Sequence, residues 1–440
     1  MTFDTIQQSD DDTACTEQAA TASPCSADDS PDADEARPNR GQDRLWTPLF
    51  VCIVAATLCC YLTSQGVNTG TSVYLAYTGN GAAFSGVLAA VFSAAAAGTR
   101  IVCGPIVDRT GRYRVLLAGA ALLAVGTALP AFVSNDVVFV LCRIMQGVGF
   151  SAATTASATA AADVLPRSRM GEGIGYYGLG QAIAMSVGPA FALALVATDP
   201  HENLYLGLAA VAIVGLFVAA LCRYERHPEK LPPTSAYRRQ AERPRKPAGK
   251  FRLSDALERR ALPGALPMLM LCPVFGFGIF FVGLYGTSVG VGNPGLFYTL
   301  SALSMIVVRL RSQSFMDRVA PLKVFSIAIA CGLAAFLLLQ AAPLNTLAYY
   351  AAGLLYGVCL GISMPLNQTV AVKNTPLERW GAGNALYLLA CDVGVGIGAA
   401  AWGFINEAAG FTTSLWCAMA CMVAALLIAK LVYPQESRVL

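Results

Sequence analysis

The chain has 440 residues, 55% of them hydrophobic and 13% charged, with a formal net charge of +3. Soluble domains carry about 25% charged residues, so this composition excludes an ordinary water-soluble globule. Fourteen cysteines form no CxxC pair, and most sit in apolar runs, so they read as small buried hydrophobes rather than a disulfide framework. Two histidines, in different loops, exclude a zinc or di-metal site, and no cofactor is expected.

Residues 1–44 hold acidic clusters (SDDD, DDSPDADE) and no apolar run. They read as a disordered acidic tail without a signal peptide, which leaves the first span to act as an uncleaved insertion signal. Apolar segments follow at 46–76, 82–105, 113–133, 136–160, 172–197 and 203–223, and are expected to form a six-helix bundle over 45–223. The basic stretch 224–261 contains YRRQAERPRKPAGKFR. It reads as a linker lying beside anionic lipid headgroups rather than a nucleic-acid-binding segment. Six more segments, at 263–288, 293–315, 320–341, 346–370, 381–406 and 411–433, make a second bundle over 262–433, and 434–440 is a short tail. About 20 apolar residues cross a bilayer as a helix, and continuous rather than alternating runs argue against a β-barrel. The expected fold class is therefore all-α integral membrane, with twelve transmembrane helices as two six-helix pseudo-repeats.

Charge position sets the expected topology. The loops at 64–83, 130–136, 197–205, 286–294, 341–347 and 405–412 contain no Lys or Arg. The alternate loops hold Arg109, Arg112 and Arg114, then Arg167 and Arg169, then the linker, then Arg311, Arg318 and Lys323, then Lys373 and Arg379. By the positive-inside rule both termini are cytoplasmic, in a multi-pass inner-membrane protein.

The halves repeat. Arg100 precedes Asp108-Arg109 by eight positions, and Arg309 precedes Asp317-Arg318 by the same eight, at an offset of 209. Pro166-x-x-Arg169-x-Gly171-x-Gly173 returns as Pro376-x-x-Arg379-x-Gly381-x-Gly383 at an offset of 210, which also carries Tyr177 onto Tyr387 and Gly188 onto Gly398.

Three stretches carry a specific resemblance. Gly104-Pro-Ile-Val-Asp108-Arg109-Thr-Gly111-Arg112 resembles the signature between spans 2 and 3 of the major facilitator superfamily. Arg143-Ile-Met-Gln146-Gly147-Val-Gly149 resembles its span 4 motif, and Ser186-Val-Gly188-Pro189 resembles the span 5 motif of its proton-coupled exporters. Ala192-Leu193 stands where that last motif usually continues to paired glycines. The resemblance implies a secondary transporter whose partners are a small-molecule substrate, protons and membrane lipid, acting as a monomer. It also implies a cytoplasmic gate at Gly104, Asp108, Arg109, Gly111, Arg112, Asp317 and Arg318. There Asp108 would hold the inner helix ends together near the N-terminus of span 11 in an outward-open state.

Candidate transport residues follow from the cost of polar groups in a membrane. A charge at a helix centre costs about 2.5–3.5 kcal/mol on insertion scales. Asp392 lies eleven residues into span 11, about 16 Å deep, where a carboxylate can exchange its charge for a proton; it is the proton-coupling candidate. Arg143, about 9 Å below the outer face, is expected to snorkel; the resemblance adds a coupling role. Gln146 shares its face, and Tyr61, Gln65, Asn68, Gln181, Tyr285, Tyr356 and Asn367 complete the candidate substrate cavity. Gly188 and Pro189 are expected to bend span 5. No G-x-x-x-x-G-K-[ST] loop occurs, which argues against direct ATP use. Proton-coupled efflux of a drug, sugar or metallophore-like metabolite is the leading reading. A proton-coupled uptake symporter, or a polytopic membrane enzyme or sensor, are the alternatives.

Overall fold

A computed structural model describes residues 45–133, 135–166, 169–226, 229, 231, 235, 237–238, 258–316, 319–373, 375 and 380–433. The acidic tail, most of the basic linker, Asp317, Arg318 and the C-terminal tail lie outside the described residues, as does the side chain of Asp108.

The helices are α1 (Pro48–Tyr77), α2 (Ala82–Thr110), α3 (Arg112–Ala128), α4 (Asp136–Val164), α5 (Met170–Val196) and α6 (Asn203–Leu221). After the linker come α7 (Leu262–Phe280), α8 (Val282–Ser288), α9 (Gly295–Met316), α10 (Pro321–Gln340), α11 (Thr346–Lys373) and α12 (Trp380–Val432). Local chemistry places the ends. Thr47 accepts from the Phe50 N–H at 3.2 Å with Pro48 in the first turn, which satisfies a helix-start donor and presets the backbone. Asn135 caps α4 in the same way, accepting from Val137 at 2.9 Å. Between α2 and α3 the chain turns through Gly111 at φ +95°, a conformation that a side chain would strain.

Two elements differ from the sequence expectation. The seventh span is interrupted at Phe281, whose φ of −121° and ψ of −19° divide it into α7 and α8. Spans 11 and 12 run on as α12, 53 residues long. At 1.5 Å per residue a straight helix of that length would reach about 80 Å, far beyond a hydrocarbon core of about 30 Å. Gly410, at φ +78° and ψ 168°, breaks it, so the arm before Gly410 is span 11 and the arm after it span 12. Ten of the described helices are long and apolar enough to cross a membrane. With α12 counted as two passes and the shorter apolar segment Gly295–Arg309, the twelve-helix architecture is complete.

In the first half α1 packs on α4, α5 and α6, while α2 and α3 pack on α4. In the second half α11 packs on α7, α9 and α10, and α12 on α7 and α10. The halves meet where α2 lies along α12, where α5 lies along α9, and where α1 touches α7 and α8. Exchanging the halves converts α2–α12 into α9–α5, so the two main contacts are images of one another. Near the axis of that exchange the Thr69 hydroxyl donates to the carbonyl of Ile279, 210 positions away, a separation equal to the repeat offset.

Candidate functional site

The site grows from the α2–α12 contact. Arg100 stands ten residues before the end of α2, and Asp392 twelve residues after the start of α12, about 15 and 18 Å from the charged-loop end of the molecule. At that shared level Arg100 Nε donates to Asp392 Oδ2 at 2.6 Å. The two side chains retain 11% and 22% of their surface. Removing one partner of a buried pair costs about 3–5 kcal/mol, because the other charge loses its compensation; partial exposure puts this pair at the low end. Arg100 was visible in the sequence only as a repeat marker. Its 292-residue separation from Asp392 gives no local signal of pairing.

Alongside runs one face of α1. Tyr61, Gln65 and Asn68, at spacings of four and three, line up on a helix. Tyr61 OH accepts from Gln181 Nε2 at 3.3 Å, and Tyr177, one turn before Gln181, bonds to Ser157 at 2.9 Å. Gln65 is buried, and its Oε1 has no hydrogen-bond partner. Asn68 Oδ1 accepts from Arg143 Nη1 at 2.9 Å. Arg143 also donates to Gln146 Oε1 at 3.3 Å and to the Val67 carbonyl at 3.2 Å, while Gln146 donates to the Gly126 carbonyl at 2.8 Å. At 3% exposure Arg143 does not snorkel. It turns inward toward α1, because two neutral acceptors there and Gln146 of its own helix replace the water it would otherwise have to reach.

The remaining cavity candidates are held inside the second half. Tyr285 OH donates to the Leu339 carbonyl at 2.7 Å, and Tyr356 packs its ring on Phe275 and Phe297. Asn367 donates to the Ser363 carbonyl at 2.9 Å and accepts from Tyr433 OH at 2.8 Å. Gly188 and Pro189 sit inside α5, which stays helical through the proline. A Cβ on Gly188 would lie 2.6 Å from the Leu62 carbonyl of α1, so the glycine lets α5 lie against α1. Its repeat partner Gly398 makes the same close approach to Pro273 of α7.

At the charged-loop end Arg112 pairs with Asp163 at 3.0 Å, and Tyr224 OH donates to the same carboxylate at 3.0 Å. The Glu225 carboxylate accepts from the backbone N–H of Arg112 at 2.7 Å and of Tyr113 at 3.4 Å, where an anion is favoured by the helix dipole. Arg109 is exposed, and the space beside Gly104 is open. These bonds brace the first half to itself. Asp163, Tyr224 and Glu225 escaped the sequence reading, since an acid at the end of an apolar run looks like a boundary marker. A further missed residue is Arg309, whose Nη1 donates to the Gly178 carbonyl of α5 at 3.2 Å; the repeat offset had already matched it to Arg100.

Residues 53–399, and again 295–439, match the model of the Major Facilitator Superfamily. The chain belongs to that superfamily. It is 24% identical over 315 residues to the staphylopine export protein of Staphylococcus aureus strain Mu50, covering 70% of this chain and 77% of that one. It is also 24% identical over 198 residues to a probable L-galactonate transporter of Escherichia coli strain K12, there covering 44% of this chain and 43% of the relative. Among solved structures it is similar in fold to a D-xylose-proton symporter, with a TM-score of 0.68 at 14% identity, covering 88% of this chain and 98% of that one. Members of the superfamily are transporters, so the membrane-enzyme alternative falls. Transporters built from two repeats bind cargo near the bilayer midplane, between the halves, and work by rocking one half against the other. Arg100 and Asp392 face each other across that interface.

Proposed function

We propose that this superfamily member is a proton-coupled secondary transporter that exports a small organic solute across the cytoplasmic membrane. The charged-loop end faces the cytoplasm, consistent with the distribution of Lys and Arg. The observation that carries the reading is the Arg100–Asp392 pair, an ion pair inside the membrane and between the halves. While Asp392 is ionised, its attraction to Arg100 ties α2 to α12. A proton on Asp392 cancels most of that attraction and frees the halves to part at this level. Protonation is thereby linked to which arrangement of the halves is favoured, the differential interaction that coupling requires. The likeness to a staphylopine export protein over most of both chains supports the outward direction.

Collapsing the proton gradient in intact cells tests the direction. The cell content of the transported solute should rise relative to cells lacking the protein. A fall would convert the reading to uptake, and no change would remove the proton.

A further inference from the structure

The geometry of the Arg100–Asp392 pair also restricts the cargo, and the restriction rests on the export reading above. In proton exchange, cargo and proton must exclude one another at a shared site. A cargo offering only a carboxylate would compete with Asp392 for Arg100. Protonating Asp392 would then favour that cargo, and the two would travel together rather than in exchange. A cargo offering only an ammonium would take Asp392 and bring no anion for the Arg100 guanidinium, so it compensates one member of the pair and not the other. A cargo carrying both groups replaces both partners at once, its carboxylate on Arg100 and its ammonium on Asp392. A proton on Asp392 then removes the counter-charge of the ammonium, so proton and cargo exclude each other.

We propose that the cargo is a zwitterion of the amino-acid type, bound by opening the Arg100–Asp392 pair. The pair is accessible enough for this, with 22% of the carboxylate side chain and 11% of the guanidinium side chain exposed. The face of α1 beside it supplies neutral contacts for the rest of the cargo. These are the Tyr61 hydroxyl and, one turn on, the buried Gln65 with its unpartnered Oε1.

Everted membrane vesicles with an acidic interior provide the test, using cells that naturally carry the protein. They are offered the uniformly ¹³C-labelled small-molecule extract of those cells, split by ion exchange into neutral, anionic, cationic and zwitterionic fractions. Protein-dependent, gradient-driven accumulation is expected from the zwitterionic fraction, exceeding the others at least about tenfold, as expected for a site with a desolvated charge pair. In gradient-free exchange, Asp392→Asn is expected to lose that preference and to accept pure carboxylates, a change of selectivity that a merely structural role would not produce. Gradient-driven accumulation from the anionic, cationic or neutral fraction instead would overturn the zwitterion proposal while leaving export standing. Accumulation that ignores the gradient, or that occurs with no fraction, would overturn the export reading itself.

Discussion

The contacts α2–α12 and α5–α9 occupy equivalent places in the repeat, yet they are built from different chemistry. Arg100 and Arg309 answer one another at an offset of 209. Across the first contact Arg100 meets the carboxylate of Asp392 at 2.6 Å; across the second Arg309 meets a backbone carbonyl, that of Gly178, at 3.2 Å. The position that answers Asp392 in the first half is Ala182, fully buried. The charge-poor end repeats the contrast. Glu407 of α12 accepts from the Ala83 N–H at the start of α2 at 2.8 Å, whereas across the other contact a Cβ on Gly295 of α9 would meet Ala190 of α5 at 3.5 Å, its nearest neighbour being Asn293 Oδ1 at 3.2 Å. The repeat thus keeps the cation in both halves, and among the described residues the acids of these two contacts, Asp392 and Glu407, lie on the α2–α12 side. On the proposed mechanism this asymmetry places the proton-responsive element on the α2–α12 contact.

The largest expected effect falls on the acid that distinguishes the two contacts. Asp392→Asn should reduce proton-driven accumulation in vesicles to background while leaving gradient-free exchange measurable. Driven transport at the parental rate would mean that the acid on α12 does not carry the proton.

Next comes the comparison of the arginines themselves. Arg100→Gln leaves Asp392 without its cation and should lower stability by about 2–4 kcal/mol, read as denaturant-induced unfolding in detergent. Arg309→Gln, whose described partner is the neutral Gly178 carbonyl, should cost about 1.5–3 kcal/mol. Adding Asp392→Asn to Arg100→Gln should recover part of the first loss, and adding it to Arg309→Gln should recover none. Equal recovery in both backgrounds would show that the contacts are not electrostatically distinct.

Much of this arrangement was legible in the sequence, and the limits have physical causes. Hydropathy and the absence of Lys and Arg from alternate loops revealed the twelve spans, since a bilayer imposes its thickness on composition. The break at Phe281 was not legible, because both sides of it are equally apolar. Asp392 was legible by its cost in the membrane. Its partner was not, because pairing across 292 residues depends on how α2 lies along α12. Arg143 was legible as a charged residue, but its neighbours Asn68 and Val67 were decided by packing. Tyr285, Tyr356 and Asn367 share the composition of cavity residues, and yet each is held by contacts inside one half. Polar identity shows that a group needs a partner, not where that partner lies.

The smallest effect concerns Glu407, the second acid on the ionic contact. Its carboxylate lies at the N-terminus of α2, where a negative charge is favoured by the helix dipole, and its exposure weakens that attraction. Around it the two helices are already close, since a Cβ on Gly86 would lie 2.8 Å from the Cα of Gly403. Backbone contact therefore sets most of the closure at this end, and the charge only biases it. Glu407→Gln should open the charge-poor end about twofold to threefold more often. The readout is labelling of Ser93→Cys by a membrane-impermeant maleimide applied from that side, in a cysteine-free background. Ser93 is suited to this because its side chain lies beside Gly396 of α12, between the Glu407 contact and the Arg100–Asp392 pair. Gly295→Ala on the equivalent contact should leave the labelling rate unchanged, since no charge is lost, Ala190 stays at ordinary packing distance, and the exposed Asn293 side chain, 3.2 Å from the added Cβ, can turn aside. If both variants speeded labelling equally, closure of that end would be symmetric, and the ionic side would hold no advantage over its apolar image.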